Sequence, residues 1–529
     1  MADDLVDIEP TVAMDPPSGP VISKNPPRFF IIGAGSRGWA YAESIRKCSN
    51  AIIAGVAEPI QSKRERFGRK FVWGPDGSPA EGQSFADWTE FVEYETQRKR
   101  REVAREENVP PGIDGAFVCV LDEMHRDVVV ALAGLKLNIL CEKPLATTFQ
   151  DVLIMYRALH PLKGKQIFSI GHVLRYSPHN IMLRKLLVDL EVIGNVNSAV
   201  HTEPVGWWHY THSYVRGNWR NSDRTGPSLL TKSCHDIDLM MWMLTAPKRA
   251  GHGDSHLPGT VSSVGNLNYF TERRKPYYAD ATNCMKCQIG DVGCKYSAKH
   301  VYLGDKYKGL GTGNTKWPIN VVVPDIEDYP TQAEKEAALT KALEEDYDES
   351  TPEEEVRSRN WFGRCVFASD NNVCDDQFVT ITWPHTIRPP KSAVFHMVAQ
   401  TTKQCDRYSN YYGEHGEIYA DSTKIVVENF ENKTRETYRP TIEDLGHGGG
   451  DIGLTRQFVF AIEKMKNDWE TPRMAQDVHI GCTVEDMLRS HAAVFMAEEA
   501  RLQNRTIDWT EWWNTNVKGG LAALGPPLW

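Results

Sequence analysis

A glycine turn near the N-terminus constrains this chain more than any other feature. The apolar run Phe29-Phe30-Ile31-Ile32 enters Gly33-Ala34-Gly35-Ser36-Arg37-Gly38, and helical periodicity follows from Arg37 to Lys47. A buried strand, a glycine turn and a helix start form half of a dinucleotide-binding unit. The glycines let backbone approach a pyrophosphate, and the helix N-terminus offers N–H groups and positive dipole. A second apolar strand, Ala51–Ala57, ends on Glu58, twenty residues past Gly38. A carboxylate there accepts hydrogen bonds from adenosine ribose hydroxyls and repels a 2′-phosphate, which favours NAD over NADP. The bland alternative is a glycine turn in an α/β domain that binds nothing. The expected cofactor set is Gly33, Gly35, Ser36, Arg37, Gly38 and Glu58.

The alternation continues. Helix Gln61–Phe71, a polar stretch 72–112 with a helix from Trp88 to Glu107, strand Gly115–Val120, helix His125–Leu135, strand Asn138–Cys141, helix Thr147–His160 and strand Gln166–Gly171 follow in turn. Short apolar strands alternating with helices predict a doubly wound parallel sheet, a Rossmann domain over residues 28–175. Beyond it Val196–Trp208, Thr260–Phe270, Phe378–Trp383, Ala393–Thr401 and Glu417–Val427 read as strands with few helices between. The expected fold class is therefore α/β plus α+β, a parallel sheet followed by a mainly antiparallel open-sheet domain over 176–510. An insertion at 271–360 interrupts that domain. Its segment 325–355 holds thirteen acids against two lysines and reads as a surface helix or a partly disordered stretch. Residues 1–27, acidic and proline-bearing, read as a disordered leader, and 511–529 as a tail.

Charge excludes one class of partner. With 60 Lys and Arg against 70 Asp and Glu, the net charge is −10, the wrong sign for nucleic acid. The basic run Gln97–Arg101 is flanked by glutamates and reads as a solvated helix face. No apolar run reaches the ~18 residues of a membrane span. The eleven cysteines are dispersed, some in core strands (Cys119, Cys141), which fits a reduced cytoplasmic protein.

Glu142-Lys143-Pro144 follows a buried strand, where a parallel sheet presents its ligand crevice. Lys143 there can meet an oxygen beside a nicotinamide, although position alone also allows a surface ion pair. GAGSRG, the EP after the second strand, EKP, GHVLRYSP at 171–178 and CHDID at 234–238 together resemble the Gfo/Idh/MocA family of sugar and cyclitol dehydrogenases. The resemblance implies two domains, an NAD(P) cofactor, a homo-oligomer built through the open sheet, and a small carbohydrate-like substrate. By matching, Lys143 takes the place of the family's catalytic Lys and His235 that of its proton-relaying His. His125, Glu142 and Lys143 join the cofactor-facing set. Many members carry Asp four residues before that His. Thr231 stands there instead, followed by Lys232, which is a candidate to act electrostatically in its place.

Residues 209–220 are dense in donors and aromatics, as a sugar-binding wall would be. His212, Arg216, Trp219 and Arg220 are the substrate candidates there, with a polar interdomain loop as the plain alternative. Arg175, Tyr176, Lys232 and Asp238 are further candidates. The loop Gly446–Asp451 precedes a helix, and His447 could reach the cleft. Cys284-x2-Cys287-x6-Cys294 has zinc-ligand spacing, with Cys365 the best fourth ligand, His300 and Cys374 behind it, and unliganded thiols or a disulfide as the alternative. Such a zinc would be structural. The expected activity is oxidation or reduction at a CH–OH group of a sugar, inositol or amino-cyclitol. The alternatives are an NAD-dependent glycosidase working by transient oxidation and elimination, and a non-catalytic NAD-binding regulator.

Overall fold

Strand β1 (Val6–Ile8) stands apart from the six that follow: β2 (Arg28–Ile32), β3 (Ile52–Ala57), β4 (Ser84–Phe85), β5 (Gly115–Val118), β6 (Asn138–Cys141) and β7 (Phe168–Ile170). In a computed structural model, which describes residues 6–8, 20–245, 255–289, 293–442 and 446–526, these six form one sheet in the order β4-β3-β2-β5-β6-β7. Every pairing in it is parallel. Helices α1 (Ser36–Cys48), α2 (Gln61–Phe71), α3 (Trp88–Val103), α4 (His125–Gly134) and α5 (Phe149–Leu159) cover it. Cover on both faces is why β2, β5 and β6 are apolar without alternation. The polar stretch 72–112 contributes the edge strand β4 and α3. Arg98 in its basic run is not solvated: it is buried against Glu95 at 2.7 Å and 2.9 Å.

The second sheet gathers β8 (Val196–Pro204), β9 (Thr260–Asn266), β10 (Asp376–Trp383), β11 (Lys391–Val398), β12 (Tyr408–Gly413), β13 (Gly416–Asp421), β14 (Ile425–Asn429), β15 (Thr434–Tyr438) and β16 (Ile507–Asp508). Its ten strands run β1-β15-β14-β13-β12-β8-β11-β10-β9-β16, antiparallel except at β1–β15 and β8–β11. One face is core, with Val379, Ile381, Trp383, Ala393 and Phe395 buried beneath helices Cys234–Leu244 and Val484–Gln503.

Four expectations need correction. The leader is not wholly disordered, since Val6–Ile8 adds an edge strand to β15. Glu417–Val427 is two strands, because Asp421 Oδ1 accepts the N–H groups of Thr423 and Lys424 and turns the chain. Helical segments are frequent between β8 and β9, spanning Trp207–Arg216, Ser222–Thr225, Ser228–Thr231 and Cys234–Leu244. The tail is helical from Trp509 to Leu524 and returns to the first domain, with Trp512 against Phe149 at 4.9 Å and Arg157 donating to the Leu524 carbonyl. Helix Gly450–Lys466 also completes the first domain, with Phe458 packed on Phe29 and Phe117. The acidic segment contains a capped helix, Gln332–Glu344. No helix among the described residues is long and apolar enough to cross a membrane.

Candidate active site

The carboxyl edge of the parallel sheet carries the glycine turn. Gly33 sits at φ +95°, and a Cβ on it would lie 2.5 Å from the Cys119 carbonyl oxygen. A Cβ on Gly38 would lie 2.0 Å from Gly33 O, so both glycines are forced by close packing. Gly35 differs: nothing lies within 4 Å of its Cβ position. That open space borders the N-terminus of α1, whose first turn holds no acid and receives no side-chain cap, with Ser36 exposed beside it. These features fit a dinucleotide pyrophosphate. Glu58 is buried at the end of β3 and accepts the Ala34 and Ile60 N–H groups at 2.8 Å and 3.0 Å, which leaves carboxylate lone pairs for ribose hydroxyls.

Arg37 does not point freely to a phosphate. It donates to Glu142 at 2.5 Å and to Asp451 at 2.8 Å, tying the turn to helix Gly450–Lys466. Glu142 also accepts from Tyr41 at 2.7 Å. Burial, the largest single influence, works to raise the Glu142 carboxyl, but Arg37, Tyr41 and Lys143 together outweigh it, and the net shift is downward. His447 Nδ1 pairs with Asp451 at 2.9 Å, so the glycine loop is pinned to the same network.

Lys143 follows directly, before a cis bond to Pro144. Its Nζ donates to the backbone carbonyl of Thr231 at 2.5 Å and lies 5.6 Å from the Trp219 ring centroid. Trp219 is itself fixed by its indole N–H to Asp122 at 2.8 Å. The missing Asp is thus replaced by a main-chain carbonyl, which orients the ammonium without a full negative charge.

His235 opens the helix Cys234–Leu244. Arg407 Nη2 lies 2.7 Å from His235 Nε2, and Asp236 Oδ2 lies 3.3 Å from it. A guanidinium only donates, so Nε2 accepts and the ring proton resides on Nδ1, which is buried with no hydrogen-bond partner among the described residues. Burial pushes His235 well below the usual histidine range despite Asp236, and Arg407 adds to the push. Behind it Asp236 pairs with His201 at 3.0 Å and Arg407 at 2.5 Å, and Glu203 with Arg407 at 2.9 Å and Lys232 at 2.8 Å. Lys232 also reaches Cys405 Sγ at 3.1 Å, and Cys405 lies 3.6 Å from His209 Nδ1. Glu203, Arg407, His201 and Cys405 are residues that sequence reasoning missed.

The structure redirects several substrate candidates to support. Arg175 and Asp238 form a buried bidentate pair at 2.6 Å and 2.7 Å, with Ser490 also donating to Asp238. Tyr176 donates to the Ile480 carbonyl. Arg220 is buried on Asp370 and on carbonyls of the insertion. Arg216, wholly buried, donates to the carbonyls of Arg364 and Tyr296. His212 meets Tyr302 at 2.9 Å and stacks on Phe362, so it lies behind the wall it was expected to form. His125, expected at the cofactor, is fully buried and uses Nδ1 on the Pro144 carbonyl, bracing the Lys143 turn. Trp219 remains half-buried beside Lys143. Cys284, Cys287, Cys294 and Cys365 line one cavity, and neither His300 nor Cys374 does.

Residues 27–172 match the model of the Gfo/Idh/MocA oxidoreductase family, described as an NAD-binding Rossmann fold. Relatives include glucose-6-phosphate 3-dehydrogenase of Bacillus subtilis, 26% identical over 224 residues (41% of this chain, 53% of the relative). The 2,7-anhydro-N-acetylneuraminate hydratase of Escherichia coli is 24% identical over 153 residues (29% and 37%). Inositol 2-dehydrogenase of Paracoccus denitrificans is 25% identical over 138 residues (25% and 35%). The matches thus span between about a third and half of these relatives' lengths. Among solved structures, levoglucosan dehydrogenase in complex with NADH and levoglucosan superimposes with a TM-score of 0.55 at 13% identity, covering 91% of this chain and 99% of that one. An Agrobacterium radiobacter oxidoreductase in complex with NAD+, L-tartaric acid and magnesium gives 0.53 at 11% identity, covering 92% and 98%. Residues 27–172 are thus similar to the NAD-binding Rossmann domain of the Gfo/Idh/MocA oxidoreductase family.

Proposed function

We propose that this protein is an NAD-preferring oxidoreductase acting on a CH–OH group of a sugar, inositol or amino-cyclitol. One observation carries the reading: Lys143, which donates to the Thr231 carbonyl, and the neutral His235, held by Arg407, lie near enough for the Lys143 charge to weigh on the ring. Bound nicotinamide supplies the hydride acceptor or donor at its C4. Gly33, Gly35, Gly38 and the α1 N-terminus hold its pyrophosphate, and Glu58 takes the ribose hydroxyls, which favours NAD over NADP.

The chain's own residues do the rest. Lys143 spends one N–H on Thr231 and has others for the oxygen on the reacting carbon, where its charge stabilises a developing alkoxide. With Nδ1 protonated and Nε2 occupied by Arg407, the neutral His235 can only donate a hydrogen bond to that oxygen. To carry its proton, Nε2 must first be released by Arg407, after which it takes the hydroxyl proton in oxidation, and the imidazolium so formed returns it in reduction. Trp219 offers a flat, fixed face for the ring. Free thiols packed among apolar neighbours, such as Cys119, Cys141 and Cys234, support a reducing, cytoplasmic setting.

A second reading has an observation of its own. Thr231 replaces the Asp that the family resemblance leads one to expect, and one relative is named a hydratase. A transient oxidation, elimination and re-reduction would use the same Lys143 and His235 and consume no net NAD. A panel of polyols and glycosides with NAD separates the two. A dehydrogenase accumulates absorbance at 340 nm in step with product, whereas the elimination route releases product without it. If NAD binds but no member of the panel is turned over, with or without Lys143→Ala, both readings fail in favour of a non-catalytic NAD-binding regulator.

A further inference from the structure

Two backbone rungs bring the cysteines of the insertion together. The Cys284 N–H donates to Gly363 O and the Cys365 N–H to Thr282 O, both at 2.8 Å, so the start and end of the insertion run antiparallel. Cys284, Cys287, Cys294 and Cys365 then face a single cavity otherwise lined by Pro276, Ala279, Ile289, Ser297 and Phe367. Donors converge on the sulfurs. Arg216 Nη2 lies 3.3 Å from Cys284 Sγ, and the backbone N–H groups of Tyr296 and Phe367 bond the sulfurs of Cys294 and Cys365. A neutral thiol is a weak acceptor, while a thiolate wants such donors. Arg216 makes the same point from the other side. It is wholly buried, its Nη1 has no hydrogen-bond partner among the described residues, and the side-chain atom its Nη2 reaches is Cys284 Sγ. A buried guanidinium needs a negative partner.

We propose that these four cysteines hold one zinc ion as thiolates, and that the resulting anionic centre is the counter-charge of Arg216, through which it fixes the segment Trp207–Arg216 beside the cleft. Four thiolates exceed the charge of one Zn²⁺ by two, so a cation beside the centre is stabilised. Four protein ligands leave no open position, so the ion is structural. It closes the root of a strap that runs to the cofactor domain. Between Cys294 and Cys365, Trp317 packs on His212 at 5.3 Å, Lys316 covers Trp39 of α1 at 5.2 Å, and Glu327 pairs with Arg66 of α2 at 2.9 Å.

Metal analysis of the purified full-length chain tests this without reference to activity. One zinc per chain that survives dialysis is expected, and protein produced with cobalt should show the visible bands of tetrahedral cobalt thiolate. Iron with inorganic sulfide, no bound metal, or a disulfide among these cysteines in unreduced mass spectra would overturn it. Cys365→Ser should lower bound zinc at least tenfold, while Cys374→Ser and His300→Ala retain it. The cobalt spectrum of the unmodified chain keeps the test decisive should Cys365→Ser fail to fold. For the counter-charge, Arg216→Met should weaken zinc retention against a competing chelator at least tenfold, and Arg216→Lys should restore part of it. Equal retention in Arg216→Met sinks that half of the proposal.

Discussion

The candidates Lys143 and His235 stand out in the sequence because each sits in a local pattern: a strand that ends in a polar turn, and a short helix start. Their supports do not. Glu203 and Arg407 are two hundred residues apart and meet because β8 pairs with β12 in the register Tyr408↔Thr202, which no local spacing encodes. Two predictions belong at this scale. Lys143→Ala should lower kcat by roughly 10²- to 10⁴-fold, the usual weight of a group acting at the reacting oxygen, while the NAD Kd from titration calorimetry changes little. Arg407→Met should raise the acidic limb of the pH profile. Burial is the main force holding His235 down, and Arg407 reinforces it. Without the guanidinium, and with Asp236 left to pull the other way, the ring protonates at higher pH. An unmoved limb in kcat/KM against pH would mean that His235 is not the titrating group.

Elements buried on both faces could be read directly. β2, β3, β5 and β6 are runs of apolar residues bounded by turns, and the structure places them where the pattern predicts. The antiparallel domain was harder, since an exposed face dilutes the apolar signal. β12 and β15 were not singled out as strands, and Asp421 turns a continuous-looking run into a hairpin. The glycine turn yields a paired prediction. Gly38→Ala drives a Cβ into Gly33 O at 2.0 Å and must shift backbone, so it should destabilise the fold by about 2–4 kcal/mol, read as a lower denaturant midpoint. Gly35→Ala meets nothing in the unliganded fold and should leave the midpoint nearly unchanged, yet weaken NAD binding at least tenfold by intruding on the pyrophosphate. If both variants lose stability equally, the open space at Gly35 is not a cofactor cradle.

At the scale of the whole molecule, burial has a pH signature. His209 and His235 are pushed well below their ordinary range by desolvation, and His212 and His491 down to about 3. The unfolded chain binds these protons near pH 6.5, while the native state does not. Stability is therefore full above about pH 6.5 and falls below it, by about 1.4 kcal/mol per pH unit for each histidine that stays neutral. Thermal melts at pH 8, 7, 6 and 5 should show a flat upper range and a steep drop beneath pH 6.5. A Tm unchanged down to pH 5 would refute the buried-neutral assignment.

The open face of the second sheet raises the last question of scale. Register places Val264 beside Phe378 across β9 and β10, and Val200 and Tyr412 lie on the same outward side of β8 and β12. All four are exposed, with Val264 at 61% and Phe378 at 40%. The opposite face is already filled by helices, and among the described residues this one has no helix packed on it. A broad strand surface bearing apolar residues suits a flat, self-complementary contact, and a twofold arrangement places the same patch on both subunits. Self-association through this face is expected, with light scattering giving a mass of two or more chains. Val264→Lys with Phe378→Glu, both on the solvent side, should yield a monomer with an unchanged circular dichroism spectrum. A monomeric parent protein, or a double variant that keeps the parent's mass, would mean that the strands present this face to something other than a second copy.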